Sequence, residues 1–236
     1  MIDIGVNLTS YVFKKDIDDV IARAFAAGVR AMVIIGSSLS DSSEAIKLSN
    51  KYSGCVATAG IHPHHAKDWD KQSRGTLQKL TAQESVKAIG ETGLDFNRNY
   101  SSKKAQILAF EQQLELAVEC QLPVYLHQRD AHETFLPMIT AYRSQLPGAV
   151  AHCFTGGQQE LEDYLNLDMH IGITGWICDE RRGYHLHDLI KQIPLNRLML
   201  ETDSPYLLPR GTEIPAKTMR NAPAFLRYVF CRVANC

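Results

Sequence analysis

A chain of 236 residues can bury a sizeable core as one large domain. Its 25 basic residues almost cancel its 26 acidic ones, so no overall field gathers a polyanion, and any such ligand must be held by a local patch or by metal ions. No stretch approaches the ~20 apolar residues of a membrane span, the start Met1 to Gly5 lacks a secretory leader pattern, and the six cysteines include no Cys-x-x-Cys pair, as expected of buried thiols in a cytoplasmic, reducing setting.

Strands and helices alternate along the chain. Ile2 to Leu8 reads as a strand, and Asp16 opens a helix whose apolar residues recur at helical spacing until Gly28. Ala31 to Ile35 is an unbroken apolar run, as for a strand buried on both faces. Ser40 or Asp41 is the expected cap of a helix reaching Asn50, followed by a strand over Val56 to Ile61. A short helix, Leu77 to Ala82, precedes the strand beginning at Val86. Ser101 or Ser102 caps the longest helix, Lys104 to Cys120, and Pro123 opens the fifth strand, through Leu126. Asp130 to Tyr142 reads as a helix in spite of Pro137. Then follow a strand at Ala149 to Ala151, a helix at Gln159 to Leu165, a strand at Met169 to Ile173, a helix at Leu186 to Ile190 and a strand at Leu198 to Leu200. Eight alternations without a linker predict a parallel sheet closed as a (β/α)8 TIM barrel, forming a single domain over 1–236. No Gly-x-Gly-x-x-Gly or phosphate-loop motif supports a doubly wound sheet instead.

Chemistry-bearing side chains recur where strands end: His62, Glu91, His127, His152 and Asp203. Parallel barrel strands gather those ends on the face that carries catalysis. Each has a bland reading: a satisfied histidine, a helix cap at Glu91, a turn residue at Asp203. Recurrence at equivalent positions favours function. Glu91, His127, His152 and Asp203 make a donor set for a divalent metal that suits Zn²⁺, Mn²⁺ or, with retained waters, Mg²⁺. Glu91 is suited to bridging ions and Asp203 to taking a proton from water, which together imply metal-assisted hydrolysis. His64, His65, Arg129 and the backbone of Thr155-Gly156-Gly157 add anion-binding capacity nearby. His170, His185 and His187 follow no strand end and are read as structural. Trp69 and Trp176 are read as packing or loop residues, with Trp176 near the mouth, and Cys153 as core rather than ligand.

The motifs Ala-Gly-Ile-His-Pro-His (59–64), Gly-Glu-Thr-Gly-Leu-Asp-Phe (90–96), Leu-His-Gln-Arg-Asp-Ala (126–131), His-Cys-Phe-Thr-Gly (152–156) and Glu-Thr-Asp-Ser-Pro-Tyr-Leu (201–207) resemble those of the TatD family of metal-dependent deoxyribonucleases, from Asp3 to about Pro223. The resemblance implies an amidohydrolase-type barrel and a 3′→5′ exonuclease acting on single-stranded DNA ends, with roles in DNA repair or degradation. It implies Glu91, His127, His152 and Asp203 as metal ligands, Asp203 as base, and His62, His64 and Arg129 as contacts to substrate phosphates. A monomer is expected. Two departures stand out. Many members carry Asp-x-His-x-His on strand one, whereas this chain has Asp3-Ile-Gly5-Val-Asn7, which predicts a water-rich site suited to Mg²⁺. The closing helix after Arg220-Asn-Ala-Pro223 is expected to be short. The alternatives are a hydrolase of a small ester, lactone or cyclic amide, and a non-catalytic metal-dependent binding protein.

Overall fold

The computed structural model describes residues 1–211, 214 and 220–236. Eight parallel strands, β1 (Ile2–Val6), β2 (Ala31–Ile34), β3 (Cys55–Ala59), β4 (Val86–Asp95), β5 (Val124–Arg129), β6 (Ala149–Ala151), β7 (His170–Ile173) and β8 (Leu198–Leu200), pair in sequence order. The ends of the sheet meet just beyond β8, where Asn7 N–H donates to the Ser204 carbonyl at 2.8 Å and Asp203 N–H to the Gly5 carbonyl at 2.9 Å. The fold is the (β/α)8 barrel that the alternation predicts.

Strands such as β2 are buried from both sides because helices cover the outer face, which is why their residues are nearly all apolar. The covering helices are α1 (Ile17–Ala26), α2 (Leu39–Lys51), α3 (Ser73–Thr81), α4 (Lys103–Cys120), α5 (His132–Arg143), α6 (Gln158–Asn166), α7 (Leu186–Leu189) and α8 (Leu226–Ala234). The cap of α2 is Ser38, whose Oγ accepts from Asp41 N–H at 3.1 Å, two residues earlier than expected. Ser102 caps α4 as predicted. Asp16 precedes α1 without capping it. Its carboxylate instead takes both amino groups of Arg220, at 3.0 and 2.6 Å, tying the C-terminal segment to the first helix. The closing helix α8 has nine residues and buries Leu226 and Val229.

Helix α4 does more than cover the sheet. Phe110 stacks on Phe135 of α5, with ring centroids 5.3 Å apart, an arrangement contributing about 1 kcal/mol beyond area burial. Two fully buried glutamines interrupt its apolar side. Gln113 Oε1 accepts from Ile61 N–H at 2.7 Å and its Nε2 donates to Ile61 O at 3.0 Å. Gln106 brackets Asp95 in the same way, at 2.8 and 3.0 Å. These amides satisfy backbone groups that leave the sheet ladder, and each such bond is worth roughly 1 kcal/mol. They also fix the segments that carry His62 and Asp95.

Two placements differ from the strand-end expectation. Glu91 lies inside β4 and His127 inside β5, because both strands continue to Asp95 and Arg129. Gly90 and Gly93 are not a turn. They sit where β4 presses on β5, and a Cβ at Gly93 would overlap the His127 carbonyl. His62 stands three residues past β3. All six cysteines are free thiols, and among the described residues no helix is long and apolar enough to cross a membrane.

Candidate active site

In a strand, residues i and i+2 face the same way. Glu91, Gly93 and Asp95 on β4, Tyr125, His127 and Arg129 on β5, and Glu201 and Asp203 after β8 follow that spacing. Their side chains, except Gly93 and the deeper Tyr125 and Glu201, line a cleft of about 1070 Å³ at the C-terminal mouth of the barrel, with His62, His64 and His152.

Glu91 is the hub. Its Oε1 lies 2.8 Å from His152 Nε2, 2.9 Å from His127 Nδ1 and 3.3 Å from His62 Nε2. Burial alone would raise its carboxyl, but the imidazoles of His62, His152 and His127 outweigh that and hold it well below the usual carboxylate range. Burial pushes His62 down to about 4, so it is neutral near pH 7 and acts through hydrogen bonding. For His127 and His152 burial also opposes charge, yet the carboxylates around them prevail and both are raised.

The three histidines differ in what stands behind them. His152 turns Nε2 to Glu91, and its Nδ1 lies 3.0 Å from the Tyr125 hydroxyl and 3.3 Å from Glu201 Oε2. The Tyr125 hydroxyl donates to the same oxygen at 2.5 Å. His127 turns Nδ1 to Glu91, while its buried Nε2 has no well-formed hydrogen bond and lies 3.4 Å from Asp95 Oδ2. A carboxylate behind an imidazole is the arrangement that fixes a metal-binding tautomer. His62 is the reverse case. The donor atoms of His62, Glu91 and His127 lie within 4.8 Å of one another. But His64 N–H donates to His62 Nδ1 at 3.0 Å, which leaves the proton of the neutral ring on Nε2. His62 therefore presents an N–H toward Glu91 rather than a lone pair.

Asp203 faces the same cleft without touching these groups. Asn7 Nδ2 donates to its Oδ1 at 2.8 Å. Burial, with Glu91 and Glu201 nearby, raises its carboxyl to about 7. Asp203 (φ 52°) and Cys153 (φ 47°) both adopt left-handed backbone, an uncommon state for residues with side chains that clusters at functional sites.

Other expectations divide. His64 is in the cleft, but its Nε2 is bonded to Asp95 Oδ2 at 2.8 Å. Arg129 lines the cleft with Arg98, and neither forms an ion pair among the described residues. The Thr155–Gly157 segment lines it too, yet Gly157 N–H is donated to Glu160 Oε2 at 2.7 Å, so this helix start is already occupied by a carboxylate. Cys153 also opens onto the cleft, with burial pushing its thiol up to about 12, which makes it a neutral group and a poor ligand. His170 begins β7. His185 and His187 sit against the Thr155 and Ile177 carbonyls, at 3.2 and 3.0 Å. Trp176 lines the cleft.

Three functional side chains escaped sequence reasoning: Asp95, Tyr125 and Glu201. Each lies two residues from a residue singled out above or, for Asp95, four from Glu91, so the period of the strand would have found them. Glu201 is fully buried and also accepts from Cys153 N–H. It occupies the space beside Gly5 and Gly172. A Cβ on Gly5 would overlap both the Tyr125 hydroxyl and the Glu201 carboxylate, and one on Gly172 would lie 2.6 Å from Glu201 Oε1. Gly5 is thus not an empty ligand position.

Residues 2–236 match the family described as TatD related DNase. The chain belongs to that family. It is 51% identical, over all of its length and 90% of the relative's, to a protein of Enterobacter lignolyticus named 3′-5′ ssDNA/RNA exonuclease TatD. It is 48% identical over a similar span to the protein of that name from Escherichia coli K12. Among solved structures, the TatD homolog YJJV from Escherichia coli superposes with a TM-score of 0.90 at 28% identity, covering all of this chain and 89% of that one. The fold alone is shared with the Escherichia coli phosphotriesterase homology protein, at TM-score 0.64 and 14% identity. The TatD-type barrel is that of a metal-dependent hydrolase, and the buried carboxylate and imidazoles around Glu91, with no Lys or Arg paired to Glu91 among the described residues, fit a divalent cation.

Proposed function

We propose that this protein is a metal-dependent 3′→5′ exonuclease acting on single-stranded DNA, and on RNA as the names of its relatives suggest, within the cytoplasm and as a monomer. The observation that carries this reading is that two of the three imidazoles on Glu91 are each backed by a carboxylate: His127 by Asp95, and His152 by Glu201, directly and through Tyr125. Glu91, His127 and His152 are the proposed ligands, with Asp203 completing the set from the far side of the cleft. When bound, a divalent ion supplies charge neutralisation at the phosphate and a more acidic water. Mg²⁺ or Mn²⁺ suits a site that shares its shell with substrate phosphate, and the two imidazoles favour Mn²⁺ of the pair.

Asp203 is the proposed base. A carboxylate on the cleft wall beside the metal's ligands is placed to accept a proton from water and pass it on. Its Asn7 contact orients one oxygen, leaving the other toward the cleft. His62, through Nε2–H, and the Arg129 guanidinium are the proposed donors to the scissile phosphate, with His64 holding Asp95 rather than the substrate. The cleft, at about 1070 Å³, has room for more than one nucleotide, which supports a strand end over a small ester or cyclic amide. Incubation of 3′- and 5′-labelled single strands with Mg²⁺ or Mn²⁺, against a chelator control, tests the reading. Stepwise loss from the 3′ end that stops with chelator is expected. Intact strands with either metal would refute it.

A further inference from the structure

Beyond the catalytic centre, one lip of the cleft carries charge and an aromatic plane that the chemistry at Glu91 does not use. The loop after β7 turns on Asp179, which is 3% exposed and whose carboxyl is held at about 2, foremost by the hydrogen bonds from Arg181. Three guanidinium groups converge on it: Arg182 at 3.0 Å, Arg181 at 3.3 Å and Arg210 at 3.7 Å. Their side chains stay 50–70% exposed, so the acid anchors them without covering them. Glu180 nearby is matched by Arg232 at 3.7 Å. Four guanidinium groups thus meet two carboxylates among the described residues, a local excess of positive charge in a chain whose net charge is −1. The Arg182 guanidinium lies 4.2 Å from the Trp176 ring centroid, and the Trp176 indole N–H donates to the Arg182 carbonyl at 3.2 Å. Trp176 and Arg182 both line the cleft.

Closing the loop needs one guanidinium on Asp179. Three side by side repel one another, and exposed ion pairs stabilise little. Cationic groups beside a flat side chain are, however, what a single strand needs, since its phosphates run past charge while its bases rest on planes. Resting on the nuclease reading above, we propose that this lip is a track for the unhydrolysed part of a DNA strand. Nucleotides on the 5′ side of the scissile bond leave the cleft over the Trp176–Arg182 pair, and the phosphates beyond are received by Arg181 and Arg210.

The test uses a 12-mer oligodeoxythymidylate with phosphorothioate ends, so that the strand is not consumed, and the intact protein. The chain has two tryptophans, so comparison with Trp176→Phe isolates one indole. The 12-mer should quench the Trp176 fluorescence, and inorganic polyphosphate, which has no bases, should not. In Arg181→Gln/Arg210→Gln the Kd should rise roughly tenfold and the slope of log Kd against log salt should fall by about 1.4, the loss of two phosphate contacts to a single strand. With ordinary substrates, the preference in kcat/KM for a 12-mer over a dinucleotide should shrink by a similar factor while kcat/KM for the dinucleotide is kept, which separates lost strand contacts from any loosening of the loop around the buried Asp179. A protein that degrades DNA but keeps its length preference and salt slope in the double variant overturns the track alone. Quenching absent with the 12-mer, or equal with polyphosphate, overturns the stacking role of Trp176. Failure of the unaltered protein to bind or cut any strand removes both this track and the nuclease reading.

Discussion

Asp3 on β1 holds Thr202 by two bonds, accepting from its backbone N–H at 2.9 Å and from its Oγ1 at 2.7 Å, and so joins the first strand to the segment that carries Glu201 and Asp203. This contact lies in the barrel interior, with Asp3 fully buried. Burial raises its carboxyl to about 8, although the bonds from Thr202 and Gly5 work the other way. A neutral Asp3 can turn its own O–H to Thr202 Oγ1, which passes its hydrogen to Ser204 Oγ at 3.1 Å.

The sign of the resulting pH dependence follows from linkage. Between about 4 and 8 the folded protein holds a proton on Asp3 that the unfolded chain has released. The Asp3 contribution is therefore complete below about pH 4 and is lost as pH rises through about 8. Asparagine copies the protonated form. Asp3→Asn should melt close to the unaltered protein at pH 5 and gain on it by pH 9, with chelator in both samples. Parallel melting curves from pH 5 to 9 would show that Asp3 is ionised throughout.

Replacing Glu91 by Gln keeps its shape and removes its charge. Mn²⁺ affinity, measured by calorimetry, should fall by more than the ~10–100-fold typical of outer partners. Without metal, His152 and His127 lose a charged acceptor, at a cost of about 1–3 kcal/mol in chelator melts. Unchanged Mn²⁺ binding would remove Glu91 from the metal centre.

Tyr125→Phe deletes one hydroxyl and leaves a fully buried carboxylate short of a donor. A loss of about 1–3 kcal/mol is expected, together with roughly 10–100-fold weaker Mn²⁺ binding through the freed His152 ring. The second readout separates positioning from simple packing: a destabilised variant with normal Mn²⁺ affinity would show that Tyr125 supports only the core.

Asp203→Asn should lower kcat/KM by about 10²–10⁴-fold while a phosphorothioate-ended strand still binds. A variant cutting at the ordinary rate would send the search for the base elsewhere.

Much of this was legible in the sequence because it depends on local rules. Apolar runs broken by helical periods gave eight strand–helix units, and β6 and β8 begin and end where their residues predict. Boundaries failed where a distant partner decides them. Ser38 caps α2 ahead of Ser40 because only the fold chooses among adjacent hydroxyls, and Asp16 is drawn from capping by Arg220, 204 residues away. Residue type and topological position picked out Glu91, His127, His152 and Asp203, which the fold brings to one cleft. Residue type does not say which nitrogen faces which neighbour. His64 pairs with Asp95, and the tautomer of His62 follows from one backbone N–H. The surroundings of Gly5 were equally hidden, since a residue without a side chain gives no sign of what fills the space beside it.

That filled space bears on metal content. Strand one supplies no imidazole and has no room for one at position 5, so elemental analysis of protein purified without chelator should find no more than one ion per chain. Two retained ions would contradict the arrangement. From the sequence, Gly5→His with Asn7→His is expected to raise metal retention. The structure reverses this: Gly5→His should lose folded protein, and Gly5→Ala alone should cost about 1–3 kcal/mol of overpacking.

The same crowding constrains how such a barrel can change by descent. Exchanging glycine for histidine at position 5 first places two groups in one volume, while removing Tyr125 first leaves Glu201 buried with one donor fewer. Either opening step costs stability before the other can repay it, and an intermediate near the folding threshold is purged. Positions 5, 125 and 201 share one volume and are coupled sites in this chain. In this chain a histidine at position 5 is therefore expected to be tolerated only where Tyr125 and Glu201 are exchanged along with it.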